Sequence, residues 1–413
     1  MAIIPRMLMI DGFDLVDVRF SVERGFVETV VSPTQVMRCH RCDTPLGPCR
    51  SRHPMKVMDM PIMTYTNHIV FFRRKGACTM CKKIRSERVN FLSAVTPHLT
   101  AQYVWWLSRL AEIAPISSAA GLVGLDKSTL WRIDFAHLKK LLASYSIPAP
   151  RRISVDEVYA YRKRQDENET RDDRFLTIVT DLDTRRVIWV SKSRRREALD
   201  QFFEILGPER TKGIKVVSID QHRGYFLSVA EHCPHAAIVW DKFHILKGFG
   251  EAVNEARKTV RGYYPKDKRS KLTDGKYRFV FLKRAERRTQ AERQHMDDVW
   301  ADNKIFAQIE IIKERMLTFF DAPTVKEAQA TFTEIGRWIF ELGIPCLKQW
   351  YLNLRNGWAT LKNNFDHRVT SAPAEGVNNV IKAIKRRSFG FCNMDYFRLK
   401  IMAVCGYLNS KYL

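Results

Sequence analysis

The sequence predicts a multidomain α/β protein, and three observations support this prediction. Residues 151–241 alternate short apolar segments, typical of buried strands, with amphipathic segments typical of helices. Residues 242–365 lose that alternation and are predicted to be helical. Two Cys-x-x-Cys pairs precede both regions. A chain of 413 residues has room for several such domains.

The balance of charge indicates a polyanionic partner. The chain has 69 Lys and Arg against 45 Asp and Glu, a formal net charge of +24, and such a basic excess is typical of a nucleic-acid-binding protein. A ribosomal-type or merely basic protein is the alternative. The sequence contains no run of about 18 apolar residues, so no membrane span is predicted. Residues 1–7 lack the pattern of a signal peptide. We therefore expect a cytoplasmic protein that makes no membrane contact.

Residues 36–92 are predicted to form a zinc-ribbon-like, DNA-binding module. The chain has nine cysteines, an odd number, and four of them form the Cys-x-x-Cys pairs. In the cytosol this spacing favours structural Zn²⁺ over disulfides, because four thiolates suit a tetrahedral zinc ion. The predicted ligands are Cys39, Cys42, Cys78 and Cys81. Reduced structural cysteines or a redox pair are the alternatives. The N-terminal segment, residues 1–35, shows only weak strand patterns.

Residues 93–150 are predicted to contain a helix-turn-helix followed by a linker. A short helix over 117–123 leads through Gly124 into a second helix that begins Lys-Ser-Thr. Residues 146–150, Ser-Ile-Pro-Ala-Pro, are typical of a linker. An ordinary helical hairpin with a glycine turn is the alternative. The side chains that the second helix would present to a DNA groove are Lys127, Ser128, Thr129 and Arg132.

Residues 151–241 are predicted to form the first part of a catalytic domain. The predicted strands are 152–161, 175–182, 186–191, 215–220 and 236–241, and the predicted helices are Glu197–Leu206 and Tyr225–His232. The order β-β-β-α-β-α-β is that of the ribonuclease H-like fold, whose first and fourth strands end side by side. Asp156 lies in the first strand and Asp220 ends the fourth. The topology therefore brings together two acids that a metal-dependent nuclease needs.

Residues 242–365 are predicted to be a basic, helical insertion into that ribonuclease H-like core. Between Arg257 and Arg288 there are 13 Lys and Arg against three acids. Interleaved aromatic residues favour a nucleic-acid track along this stretch, whereas a solvated helix surface is the alternative. The tryptophans expected to pack the core of the insertion are Trp300, Trp338, Trp350 and Trp358.

Residues 366–413 are predicted to close the catalytic domain, beginning with a helix. Four polar side chains fall within about 60° of one another on that helix, namely Glu375, Asn379, Lys382 and Arg386. We expect the last three to contact DNA. Together with Asp156 and Asp220, Glu375 can hold two Mg²⁺ ions (or Mn²⁺), because hard divalent cations prefer oxygen ligands. An ordinary amphipathic surface helix is the alternative.

Taken together, these residues resemble a DDE transposase of the ISL3 insertion-sequence family of bacteria. The resemblance runs from about Cys39 to the C-terminus. Its most specific parts are Ser154-Val155-Asp156-Glu157, Val239-Trp240-Asp241-Lys242-Phe243-His244, and a closing stretch that begins Ala374-Glu375-Gly376-Val377-Asn378-Asn379. The family's zinc-binding module matches the four cysteines, and its helix-turn-helix matches roughly residues 117–140.

The resemblance implies a transposase that binds the terminal inverted repeats of its own element and catalyses metal-dependent cleavage and transfer of DNA strands. It implies Asp156, Asp220 and Glu375 as catalytic carboxylates, double-stranded DNA as the partner, and a homodimer on paired DNA ends. Asp241 and His244 match the family's Asp-x-Phe-His, and we expect them to support the site. A non-catalytic DNA-binding regulator on the same scaffold, and a structure-specific nuclease or resolvase, are the two alternatives.

Overall fold

The protein contains two five-stranded sheets, each accompanied by helices. The computed structural model describes residues 10–160, 170–263, 269, 275–369, 372–388, 390–391 and 393–410. Met1–Ser146 and Ile384–Leu413 make up a first compact unit, and Ile147–Ala383 make up a second. The predicted mixed α/β class is confirmed. Within the described ranges, no helix is both long enough and apolar enough to cross a membrane.

The first unit begins with a mixed sheet. Its strands are β1 (Phe13–Ser21), β2 (Phe26–Pro33), β3 (Ser51–Ile62), β4 (Tyr65–Cys78) and β5 (Lys83–Ser86). They lie in the order β1-β2-β4-β3, with β5 also paired to β4, and only the β2–β4 pair is parallel. Alternate residues face a core in which Phe13, Phe71 and Phe91 meet edge to face at centroid distances of 5.1 to 5.6 Å.

Three helices follow in the first unit: α1 (Ala101–Ile113), α2 (Ile116–Leu122) and α3 (Lys127–Ala143). Asp126 is the N-cap of α3, since its side chain accepts a hydrogen bond from the backbone N–H of Ser128 at 2.8 Å. In the turn before it, Gly124 has φ +67°, a conformation that glycine adopts without steric cost. The two helices and the glycine turn lie where the sequence predicts them, and their DNA-binding role stays a prediction.

A C-terminal helix, Met394–Cys405, packs in the first unit as well. Its Tyr396 hydroxyl and Lys400 ammonium donate hydrogen bonds to the fully buried carboxylate of Asp134 on α3, at 2.5 and 3.1 Å. The Ser108 hydroxyl of α1 donates to the same carboxylate at 2.5 Å. These donors compensate the cost of burying the charge of Asp134, so the helix is held to α1 and α3 by polar contacts as well as by packing.

The structure divides the end of the chain differently from the predicted domain bounds. Residues 366–413 are predicted to close the catalytic domain, whereas Ile384–Leu413 fall in the first unit. The helix Ala372–Arg387 continues across the boundary between the two units. The predicted functional domains themselves stay predictions.

The second unit contains the other mixed sheet. Its strands are β6 (Arg152–Tyr159), β7 (Phe175–Asp181), β8 (Arg186–Lys192), β9 (Val216–Ile219) and β10 (Ala237–Trp240), each bounded within two residues of its prediction. They lie in the order β10-β9-β6-β7-β8. β6, β9 and β10 are parallel, while β7 is antiparallel to β6 and to β8. The carboxyl ends of three adjacent strands therefore meet at one edge of the sheet.

The other elements of the described residues are helices. They are α4 (Arg196–Leu206), α5 (Pro208–Thr211), α6 (Arg223–His232), α7 (Lys242–Arg261), α8 (Gly275–Leu282), α9 (Gln290–Asp302), α10 (Lys304–Leu317), α11 (Val325–Leu342), α12 (Pro345–Asn356), α13 (Trp358–Leu361), α14 (Asn363–His367), α15 (Ala372–Arg387) and the C-terminal α16 (Met394–Cys405). The predicted helical insertion corresponds to α7–α14. Its four tryptophans pack, partly buried, against the apolar core of these helices, as predicted.

Two cations of the predicted nucleic-acid track in the insertion are not available to bind DNA, so the prediction is wrong for them. Arg257 and Arg288 are buried, with exposures of 5% and 3%. Arg257 donates a hydrogen bond to Asn254 at 3.1 Å, and Arg288 forms an ion pair with Glu310 at 2.8 Å. Both guanidinium groups therefore stabilise the helical core. Residues 264–268 and 270–274 of this stretch lie outside the described residues.

Candidate active site

Three aspartates from neighbouring parallel strands lie at one edge of the second unit's sheet. The pairing of β6 with β9 places Ser154 beside Ser218, and Asp156 and Asp220 each follow that pair by two residues. Asp241 comes directly after β10, the other parallel neighbour of β9. The predicted juxtaposition of Asp156 and Asp220 thus has a direct basis in strand register.

The carboxylates at this edge raise one another's pKa values. Burial is the largest cause of the raised pKa values of Asp156 and Asp220, and the negative charge of Asp241 raises both further. The pKa of Glu157, the next residue on β6, rises to about 7, first through burial and then through the charges of Asp220 and Asp156. Carboxylate oxygens are the type of ligand that hard divalent cations prefer.

Asp241 and His244 form a pair beside the other acids. Oδ1 of Asp241 accepts a hydrogen bond from the backbone N–H of Phe243 at 2.9 Å and so caps α7. Its Oδ2 lies 3.2 Å from Nδ1 of His244. That hydrogen bond is the largest cause of the raised pKa of His244, and the charges of Asp156 and Asp220 raise it further. The imidazolium in turn favours the ionised form of both aspartates.

Asn378 is a residue of this site that the sequence analysis missed. Its side-chain amide on α15 donates a hydrogen bond to Oδ2 of Asp156. The backbone N–H of Glu157 donates to Oδ1 of the same carboxylate at 2.7 Å, so both oxygens are oriented. The available signal was spacing, because Asn378 follows Glu375 by three residues and residues so spaced share one side of a helix.

Glu375 does not join the aspartates in a common metal-binding group. It is exposed in the first turn of α15. Among the residues that the structure describes, the four cysteines are the one group of three or more His, Cys, Asp or Glu side chains close enough together to share a metal ion. Asn379, Lys382 and Arg386 are likewise exposed on α15. The roles assigned to these four residues stay predictions.

The four predicted zinc ligands do come together in the first unit. Their sulfur atoms all lie within 4.8 Å of one another, with Cys42–Cys78 at 3.5 Å, Cys42–Cys81 at 3.6 Å and Cys39–Cys81 at 4.0 Å. Zn–S bonds of about 2.3 Å in a tetrahedron separate sulfurs by about 3.8 Å. Hydrogen bonding with Thr44 lowers the pKa of Cys42 to about 6. The cluster therefore has the size and donor chemistry of a Cys₄ metal site.

The predicted groove-facing residues occupy the start of α3. Lys127, Ser128 and Arg132 are exposed, and Thr129 is half-buried. The Arg132 guanidinium donates hydrogen bonds to the carbonyl of Ser128 and the hydroxyl of Thr129, both at 3.3 Å. The charge of Arg132 is therefore held over the first turn of the helix, where a DNA contact is predicted.

Comparison with known proteins connects these features to one family. Residues 153–401 match the sequence model of the DDE transposases of the ISL3 type, described as "Transposase". The transposase for insertion sequence element IS1001 of Bordetella parapertussis is 26% identical over 381 residues, which cover 90% of each chain. The transposase for insertion sequence element IS1557 of Mycobacterium tuberculosis is 26% identical over 266 residues, 58% of this chain and 57% of that protein.

Proposed function

This chain belongs to the ISL3 family of DDE transposases, and we propose that it binds the terminal inverted repeats of an insertion sequence and catalyses cleavage and transfer of DNA strands there. The observation that carries this proposal is the gathering of Asp156, Asp220 and Asp241 at the carboxyl ends of three parallel strands. We also infer a cytoplasmic location, because bacterial DNA lies there.

A ribonuclease H-like catalytic core is the interpretation that the second unit supports best. If its five strands are numbered along the chain, their order across the sheet is 5-4-1-2-3. The second strand is antiparallel to the first and to the third. This arrangement puts the first and fourth strands side by side, as that fold requires. The helices α7–α14 then form an insertion between β10 and α15, the helix that carries Glu375.

Metal binding in this proposal rests on Asp156, Asp220 and Glu375. Two Mg²⁺ (or Mn²⁺) ions held by these residues would supply activation of the attacking oxygen and stabilisation of the leaving oxygen of a phosphodiester. The Asn378 amide orients Asp156 by donating to it. Asn378 lies one helical turn after Glu375. Its hydrogen bond to Asp156 therefore supports the proposal that Glu375 also lies near the strand ends. Asp241 and its partner His244 support the group electrostatically.

Recognition of DNA is assigned mainly to the first unit. A Zn²⁺ ion held by the four cysteines would stabilise the sheet module structurally. Helix α3 would act as the second helix of a helix-turn-helix and present Lys127, Ser128, Thr129 and Arg132 to the groove. On α15, Asn379, Lys382 and Arg386 would contact the phosphate backbone. Two DNA ends must be paired for transfer, so a homodimer is the expected assembly on DNA.

The test uses DNA that carries the inverted repeats flanking the gene, incubated with Mg²⁺ and full-length protein. We expect the wild type to release a 3′ hydroxyl at the repeat boundary. Glu375→Gln should bind the repeats with nearly unchanged affinity and lose cleavage, because the substitution removes a charge and keeps the shape. Glu251→Gln changes an exposed glutamate on α7 in the same way and should retain cleavage.

The same experiment separates the alternatives. A wild-type protein that binds the repeats and never cuts or joins them would support the DNA-binding regulator. Cleavage of branched DNA without any repeat would support a structure-specific nuclease or resolvase. Cys78→Ser should lower repeat binding, because Cys78 is one of the four clustered thiols. An equal loss of binding in Cys78→Ser and Glu375→Gln would contradict the division between recognition and catalysis.

A further inference from the structure

Phe243 is a large apolar residue that is exposed beside the candidate active site. It lies between Asp241 and His244 in the first turn of α7, and it is 49% exposed. Its backbone N–H donates a hydrogen bond to Oδ1 of Asp241 at 2.9 Å. Its ring meets the His244 imidazole edge to face at a centroid distance of 5.6 Å. The backbone that carries the ring is therefore fixed next to Asp241, while the ring remains open to solvent.

The exposure of Phe243 follows from its place on the helix. The side of α7 that packs in the apolar core consists of Ile245, Phe249, Val253, Ala256 and Val260. At 100° per residue, Phe243 points about 120° away from the centre of that row. Lys247 follows Phe243 by four residues, so it shares the solvent side of the helix, and it is exposed as well. An aromatic ring and an ammonium group are thus presented together at the start of α7.

This pair of groups matches the chemistry of a nucleic-acid strand. Aromatic rings stack on bases, and cations contact the phosphates between the bases. Within a duplex both faces of a base are covered by its neighbours, so side chains reach only the base edges in the grooves. The last base of a strand has one free face. Cleavage at a repeat boundary creates such a base on the nucleotide that carries the new 3′ hydroxyl.

We propose that the Phe243 ring stacks on the terminal base of a cleaved DNA end. This inference rests on the proposed function, in which the aspartates receive the nucleotide that carries the 3′ hydroxyl. Asp241, two residues before Phe243, follows β10, the parallel neighbour of the strand that precedes Asp220. The terminal base of a nucleotide at this edge therefore lies within reach of the ring. Stacking retains the cleaved end at the carboxylates until target DNA arrives.

The test measures equilibrium binding of the full-length protein, in Mg²⁺, to DNA that already ends at the repeat boundary. One DNA has a complete terminal base pair, and the other lacks the base of the nucleotide that carries the 3′ hydroxyl. Neither DNA can be cleaved at the boundary, so binding is measured apart from cleavage. The wild type should prefer the complete end roughly 5- to 100-fold, because stacking of one base on an aromatic ring contributes about that much to affinity.

Substitutions at Phe243 show whether this ring is the cause. Phe243→Leu keeps an apolar side chain and removes the aromatic face. It should weaken binding to the complete end roughly 5- to 100-fold, and it should leave binding to the end without the base within about twofold of the wild type. Phe243→Trp should retain the preference for the complete end. Phe340→Leu is the matched control, since Phe340 is 44% exposed on α11, and it should change neither affinity.

Several results would overturn the proposal. A wild type with equal affinity for the two ends would do so, as would a Phe243→Leu variant that weakens binding to both ends equally or to neither. Loss of the preference in Phe243→Trp would show that stacking is not its cause. Cleavage of uninterrupted repeat DNA tests the proposed function separately. A protein that prefers the complete end but never cuts would contradict the catalytic proposal and leave the stacking in place.

Discussion

Asp134 is the position where a single substitution should most clearly test how the first unit is held together. Its carboxylate is fully buried and accepts hydrogen bonds from Ser108, Tyr396 and Lys400. Asp134→Ala removes the acceptor of all three and leaves the ammonium of Lys400, itself 4% exposed, without its ion-pair partner. Leaving one member of a buried ion pair uncompensated costs about 3 to 5 kcal/mol.

We therefore expect Asp134→Ala to lower the local free energy of unfolding of α3 and α16 by about 4 kcal/mol, which accelerates amide exchange there about 1,000-fold. Hydrogen exchange read by mass spectrometry is the appropriate measurement, because a protein of two units need not unfold in one step. Peptides from α7–α14, in the other unit, serve as the internal reference.

Two further variants show whether the uncompensated charge is the cause. Asp134→Leu/Lys400→Met removes both charges and should recover most of the lost protection, since a buried pair can often be replaced by apolar residues. Glu255→Ala breaks the exposed Lys258–Glu255 ion pair and should cost under about 1 kcal/mol. A loss below about 1 kcal/mol in Asp134→Ala, or a double variant weaker than the single one, would refute the reasoning.

Three other substitutions or conditions probe the second unit. Asn378→Ala removes the amide that donates to Asp156 and should lower cleavage roughly 10- to 100-fold at fixed Mg²⁺, with repeat binding unchanged in a gel shift. The pKa of Glu157 is raised from 4.5 to about 7, so the native state holds this proton more tightly than the unfolded state. Without added Mg²⁺, the melting temperature should therefore fall as pH rises from about 4.5 to 7, and millimolar Mg²⁺ should offset part of that fall. Gly357→Ala would drive a methyl group into the Trp240 ring and should lower stability by about 1 to 3 kcal/mol in chemical denaturation.

The strands and cysteines could be predicted because their signals are local. Buried parallel strands are continuous apolar runs, and each run here ends where the structure ends its strand, within two residues. The position of the aspartates could be predicted from the same runs, because the register of β6 with β9 places Asp156 beside Asp220. Two Cys-x-x-Cys pairs likewise predict a common cluster, because each pair already directs two thiols to one side.

The contacts that sequence reasoning missed join residues far apart in the chain. Asp134 and Lys400 form a hydrogen bond although they are 266 residues apart in the sequence, and Asn378 and Asp156 do so although they are 222 residues apart. Nothing in the local pattern of α16 distinguishes a helix that packs on α3 from one that packs on a catalytic sheet. The burial of Arg288 could not be predicted from charge counts either, because its neutralising partner, Glu310, lies 22 residues further along the chain, on α10.

Charge acts in opposite directions at long and short range in this protein. The net charge of +24 attracts DNA from a distance, but salt screens that field beyond about 10 Å. At the strand ends a phosphate would instead meet Asp156, Asp220 and Asp241, and the charge of Asp241 already raises the pKa values of the other two. Binding of DNA by the exposed cations of the first unit should therefore persist when Mg²⁺ is omitted, whereas docking of a phosphate at the aspartates should require their neutralisation. A protein whose repeat binding disappeared along with cleavage when Mg²⁺ was removed would contradict this separation, because recognition would then depend on the same carboxylates as the chemistry.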